Sequence, residues 1–164
     1  MEPTEIIDAL VVNRNLVFRF FALFSRFEYS LKRSGFLKAA EKAEPNWDTY
    51  ANTLQGLFQA VSDPAFQAAV AFLVKEPPKT QIVSNLELGW RDSVQGPGEH
   101  FERYILRLVT TVRNNLFHGG KYPHPFGPVR DIARNRRLLE ASISVLCACL
   151  VLSDKVRSAF EEVA

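Results

Sequence analysis

The sequence is poor in the residues that usually build a covalent or metal centre. It has two cysteines and three histidines in 164 residues. Cys147 and Cys149 are one residue apart, which on a helix places them about 200° apart, too badly aimed for a mutual disulfide. No second Cys/His cluster lies near them to complete a metal site, so they read as small core residues. Charge of one sign is also lacking. The net charge of +2 excludes binding by bulk cationic charge and leaves room for a local basic patch. The longest apolar run, Ile143 to Leu152, falls well short of the ~20 residues that cross a bilayer. The start, Met1-Glu2-Pro3-Thr4-Glu5, is acidic and polar, unlike a signal peptide. These absences predict a reduced, cytoplasmic protein with no membrane span and no cofactor. Internal repeats, low-complexity tracts and a series of alternating strands are missing too.

What is present is a packed helical pattern. Hydrophobic residues make up 47% of the chain, with 13 phenylalanines, enough for one domain with a true core over residues 1–164. Val17, Phe20, Phe21, Phe24, Phe27 and Leu31 recur at spacings of three and four, predicting a helix from about Thr4 to Leu37 with Gly35 as its stop. A second helix is expected from Trp47 to Ser62, turning Leu54, Leu57, Phe58 and Val61 inward. Asp63-Pro64 reads as an N-cap and first-turn proline opening a helix to Val74. Between Lys75 and Gly98 the helical period is lost, and Gln81–Ser84 with Leu86–Trp90 can form a hairpin. The period resumes from Glu99 to His118, where Gly119-Gly120 ends it. A last long helix is expected from Val129 to Val163. The expected fold is all-α, an antiparallel bundle of four to five helices with an irregular insert at 75–98.

Chemistry concentrates in Val112-Arg113-Asn114-Asn115-Leu116-Phe117-His118-Gly119-Gly120-Lys121. With Val112 at the centre of the buried stripe and ~100° per residue, Asn114, His118, Arg107 and Arg103 fall roughly opposite it. Arg113 stands a quarter-turn from the core. A glycine at 119 suits a left-handed helix end and would leave His118 facing a loop. Imidazole gives and takes protons near neutral pH, and a guanidinium fork suits a phosphate or a phosphorane. The two suffice for RNA cleavage without metal: one assists attack by the 2′-hydroxyl, and the other offsets charge in the transition state. Spacing alone says little, because 13 arginines and three histidines produce roughly 0.24 chance pairs at any one separation. Both residues could equally satisfy carbonyls at the helix end.

The context is more specific. Arg113-Asn114-x-x-x-His118 followed by Gly-Gly, late in an apolar helix of a helical chain, resembles the motif of the HEPN superfamily. That motif is an arginine, usually a polar residue, and a histidine four to six residues on. The resemblance implies a helical bundle that dimerises so that two motif helices face each other, with Arg113, His118 and Asn114 as catalytic residues. It implies an endoribonuclease of toxin or antiviral-defence type, in some cases partnered by a nucleotidyltransferase-like antitoxin. Other members are catalytically silent modules that bind RNA, a nucleotide or a partner protein. In either case Lys121, Arg103, Arg107, Arg130 and Arg134 are candidate RNA-backbone contacts, with Arg136 and Arg137 beside them. Glu28, near the apolar face of the first helix, is a candidate partner for Arg113 or a surface ion pair. Tyr122-Pro123-His124-Pro125-Phe126 is a stiff aromatic connector, His100 lacks a metal partner set, and Trp90 would dock the insert. A third possibility is a bundle whose apolar stripe joins a larger complex, with the motif only capping a helix.

Overall fold

A computed structural model describes residues 13–118 and 132–162. The protein is mostly helical, with one small hairpin. Six α-helices are found among the described residues: α1 (Arg14–Arg33), α2 (Trp47–Thr53), α3 (Pro64–Lys75), α4 (Phe101–Phe117), α5 (Ile132–Leu152) and α6 (Asp154–Glu161). A single 3₁₀ turn, Phe58–Ala60, precedes α3. Strands β1 (Thr80–Ser84) and β2 (Glu87–Arg91) pair antiparallel between α3 and α4.

Local chemistry explains most boundaries. α1 starts where the Asn13 side chain accepts the Leu16 N–H, and it buries Leu16, Phe20, Phe24, Phe27 and Leu31 on one face. It ends four residues before the expected Leu37. Gly35 adopts φ +83°, and the N–H groups of Phe36 and Gly35 bond back to the carbonyls of Leu31 and Lys32, a glycine-terminated helix end. Asp63 accepts from Ala65 and Phe66 N–H, and Pro64 opens α3 as expected. The expected helix from Trp47 to Ser62 is broken. α2 stops at Thr53, Gly56 takes φ +80°, and the 3₁₀ turn follows.

The expected hairpin is present, with β1 one residue longer at its start and β2 shifted by one residue, so that Leu86 falls in the turn. Asn85 and Leu86 both have positive φ, the geometry of a two-residue turn that matches strand twist. The last helix is two helices. Ser153 leaves helical geometry, and α6 packs on α1, burying Val156, while Arg26 Nε donates to the Phe160 carbonyl at 3.0 Å. That long-range capping of the α6 carbonyls has no local sequence signal. Helices α3 and α1 both lie on α5, and α2 and α4 pack together, so one apolar cluster runs through all six helices. No helix among the described residues is long and apolar enough to cross a membrane.

Candidate functional site

α4 carries the motif and owes its place to its apolar stripe. Ile105, Leu108, Val109 and Val112 are fully buried, which turns Asn114, Phe117 and His118 outward. At its start the His100 side chain caps the Arg103 N–H. The neighbouring Glu102 is a charged residue on the inner face, 2% exposed. Its carboxylate accepts from Gly56 N–H at 2.9 Å and Phe58 N–H at 3.4 Å, and it faces His100 Nδ1 at 3.2 Å. The other His100 nitrogen meets Asn52 Oδ1 at 3.1 Å. His100 and Glu102 therefore tie α4 to the segment after α2, a structural task that the sequence analysis did not anticipate. A carboxylate on the apolar stripe was the signal for it.

Arg113 is held from several sides. Its guanidinium lies 5.7 Å from the Phe24 ring centre and 5.4 Å from that of Phe117, within cation–π range. It donates to Asn114 Oδ1 at 3.1 Å, and Glu28 is 4.0 Å away, at the outer edge of an ion pair. Glu28 in turn accepts the Trp47 indole N–H at 3.1 Å, and Trp47 stacks on Phe27 with planes 4° apart. A chain of contacts thus runs from α2 through α1 to the motif arginine. Sequence reasoning left Glu28 as a partner for Arg113 or a surface ion pair, and missed Trp47, Phe24 and Phe117. No spacing rule links a tryptophan to a carboxylate nineteen residues before it.

His118 is the last residue of the described segment. Its ring is exposed, and its backbone N–H closes the helix on the Asn114 carbonyl at 2.8 Å. The buried Asn115 points elsewhere. It donates to the Lys79 carbonyl at 2.7 Å and so roots the hairpin beside the C-terminal end of α4. The hairpin base is closed further by Ser93, whose hydroxyl donates to the Pro78 carbonyl and whose carbonyl accepts from Tyr104.

The candidate RNA contacts have other partners. Arg103 Nε reaches Asp48 at 2.9 Å. Arg107 holds Glu99 through two bonds of 2.8 and 2.7 Å and also donates to the Val94 carbonyl. This pairing holds the Glu99 carboxyl below its ordinary value and raises the Arg107 value. Arg134 donates to the Pro77 carbonyl at 2.8 Å beside Glu76, and Arg137 lies 4.0 Å over the Phe72 ring. These cations fix loops and helix pairs. Lys121 and Arg130 lie outside the described residues, as do the Gly119-Gly120 stop and the Tyr122 to Phe126 connector.

Two further features lie apart from the motif. Cys149 is buried against the Tyr50 hydroxyl, and burial pushes both groups' pKa values up. An open apolar groove of about 490 Å³ is lined by Phe58, Phe66, Val70, Val74 and Phe101. It sits at the start of α4, some 24 Å along the helix from its end at 1.5 Å per residue. Among the described residues no group of three or more His, Cys, Asp or Glu side chains could hold a metal ion. Comparison of the chain with family models, with curated proteins and with solved structures finds no match.

Proposed function

We propose that this chain is a HEPN-type endoribonuclease, cleaving RNA without metal at a site shared by two copies in the cytoplasm. The observation that carries the reading is the state of Arg113. Two aromatic rings, an amide and a carboxylate hold this half-exposed guanidinium at the end of a helix whose last side chain is an exposed histidine. A pre-oriented cation and a proton carrier brought to the same phosphate are what transesterification of a phosphodiester requires.

One protomer does not suffice. On an ideal wheel Arg113 and His118 leave α4 about 140° apart, too divergent to bracket one phosphate. A second copy facing the first supplies the missing partner, so each scissile phosphate meets a guanidinium and an imidazole from the composite cleft. An imidazole takes the 2′-hydroxyl proton as the 2′-oxygen bonds to phosphorus. Arg113 balances the charge added to the phosphorane. The bond from phosphorus to the 5′-oxygen breaks, that oxygen receives a proton from an imidazolium, and the products are a 2′,3′-cyclic phosphate and a 5′-hydroxyl. Asn114, bonded to Arg113, fixes the guanidinium plane. A nucleotidyltransferase-like antitoxin is the partner that the family resemblance suggests.

A second reading draws on Glu28. A carboxylate already facing Arg113 lowers its pull on phosphate, as would suit a silent module that binds RNA, a nucleotide or a protein. Cleavage in EDTA separates the two. The wild type should yield 2′,3′-cyclic phosphate ends, and Arg113→Ala and His118→Ala should each abolish them while keeping the helical circular dichroism. Cleavage that persists in both folded variants refutes the nuclease reading, and absence of cleavage by the wild type favours the silent module.

A further inference from the structure

The hairpin has a firm root and a bare tip. Its base is clamped by Asn115, Ser93 and a Lys79–Asp92 ion pair of 3.0 Å. Beyond that, Val83 and Leu88 face each other across the strands on one side, 71% and 53% exposed. Leu86, in the turn, is 98% exposed at φ +63°. Leucine is a poor choice there on two counts. The left-handed region disfavours a branched side chain, and glycine or asparagine would serve the turn better. Full exposure also forgoes any burial of the side chain within the protomer.

A second bare apolar surface lies across α4. Phe18, Phe21 and Phe117 are 69%, 44% and 47% exposed, and the rings of Phe21 and Phe117 are 5.5 Å apart. Phe21 meets Phe117 while Phe24 meets Arg113, so α1 runs antiparallel to α4 and carries Phe18 past its end. On the wheel, Phe117 stands roughly 140° from Val112 and Asn115 roughly 300°, with Asn114 and His118 between them at about 200–240°. The face carrying Asn114 and His118 is therefore flanked by an aromatic ridge on one side and by the root of the hairpin on the other, with Arg113, at about 100°, beneath the ridge between Phe24 and Phe117.

We infer that the hairpin is a dimerisation arm, whose Val83, Leu86 and Leu88 rest on the Phe18–Phe21–Phe117 ridge of a second copy, reciprocally. Symmetry selects this pairing. A two-fold axis parallel to α4 turns ridge to hairpin on both sides of the motif face and keeps both α4 ends level, so the two His118 side chains meet. An axis perpendicular to α4 sets ridge on ridge and hairpin on hairpin. The area also suits a second copy. The exposed parts of the three rings and those of the three aliphatic side chains each offer roughly 300 Å² on each protomer. The reciprocal contact then covers on the order of 1,000 Å², where specific interfaces begin. Five-residue strands reach about 17 Å from their root, enough to cross onto a neighbour. The axis direction rests on the shared-site reading above, whereas the arm and ridge stand on exposure alone.

The test is sedimentation of the full chain between 5 and 100 µM, with cross-linking. The wild type should be a dimer. Leu86→Glu and Phe18→Glu, which alter exposed side chains, should each weaken it at least tenfold with unchanged circular dichroism. In a Cys147→Ser background, Leu86→Cys and Phe18→Cys protomers should form disulfides when mixed, faster than either alone. A monomeric wild type overturns the inference. So does a dimer indifferent to Leu86→Glu, or preferred Phe18→Cys self-linking, or protection of the ridge by RNA with no dimer. Cleavage assayed in parallel keeps the two ideas apart. A hairpin-dependent dimer that never cuts RNA sinks only the nuclease reading, and a nuclease whose dimer ignores the hairpin sinks only the arm.

Discussion

Glu28→Gln tests how Arg113 is positioned. The substitution removes the charge facing the guanidinium and leaves an oxygen to accept the Trp47 indole N–H, so no donor is orphaned. Unit charges 4.0 Å apart attract by about 4 kcal/mol at an effective dielectric of 20 and about 1 kcal/mol in water. With the two side chains 34% and 25% exposed, water screens the pair, and ~0.5–1 kcal/mol of stability is at stake. At about 2–4 °C per kcal/mol for a chain of this size, Tm should fall by no more than about 4 °C. Catalysis is more sensitive, because misplacement of a positioned group by 1 Å can cost about a hundredfold. We expect kcat to fall about tenfold. KM should hold or drop, because a negative charge has left the cleft. Both are measured by initial rates on an RNA oligonucleotide, beside a urea melt. Wild-type kcat in Glu28→Gln, with Arg113→Ala inactive, would show that Arg113 needs no carboxylate to orient it. A Tm loss above 10 °C would make Glu28 a core anchor instead.

Other expectations follow from particular contacts. The Arg107 pairing holds the Glu99 carboxyl below its ordinary value of 4.5, so its contribution is fully present above that value and is lost as pH falls through the lowered one. Urea melts of wild type and Glu99→Gln should therefore differ at neutral pH and converge in acid; a gap that widens in acid contradicts the pairing. In the Phe18→Glu background, which removes the dimer contact, Leu86→Gly should stabilise the protomer by about 1 kcal/mol by relieving the left-handed leucine, read as a raised denaturation midpoint, and a lowered midpoint there would mean that Leu86 packs within its own protomer. Thiol titration of the folded protein should modify exposed Cys147 and spare buried Cys149, whose pKa burial raises; equal rates at both refute that burial. Glu102→Ala should cost about 2–4 kcal/mol, because it strands the Gly56 and Phe58 N–H groups, and a change below 1 kcal/mol in urea would show that water replaces the carboxylate.

Local rules carried several features to the right place. Asp63-Pro64, Gly35 and the Arg113-to-His118 polar face follow from capping, backbone freedom and the 3.6-residue period, which act within a few neighbours. The outward turn of Asn114 and His118 follows from the buried stripe of α4 in the same way. The break at Ser153 and the early end of α2 were not legible, because α6 is fixed by Arg26, more than a hundred residues away, and because Gly56 serves a turn fastened by Glu102.

By itself, then, the sequence determined where most helical stretches lie, which face of α4 is buried and that Asn114 and His118 turn outward, since periodicity and capping are short-range. The tertiary structure alone decided that Arg103, Arg107 and Arg134 are engaged by Asp48, Glu99 and the Glu76–Pro77 turn. It also decided that Trp47 braces Glu28 opposite Arg113. A charged side chain is assigned its partner by the packing that surrounds it, and packing joins residues whose separation along the chain carries no pattern.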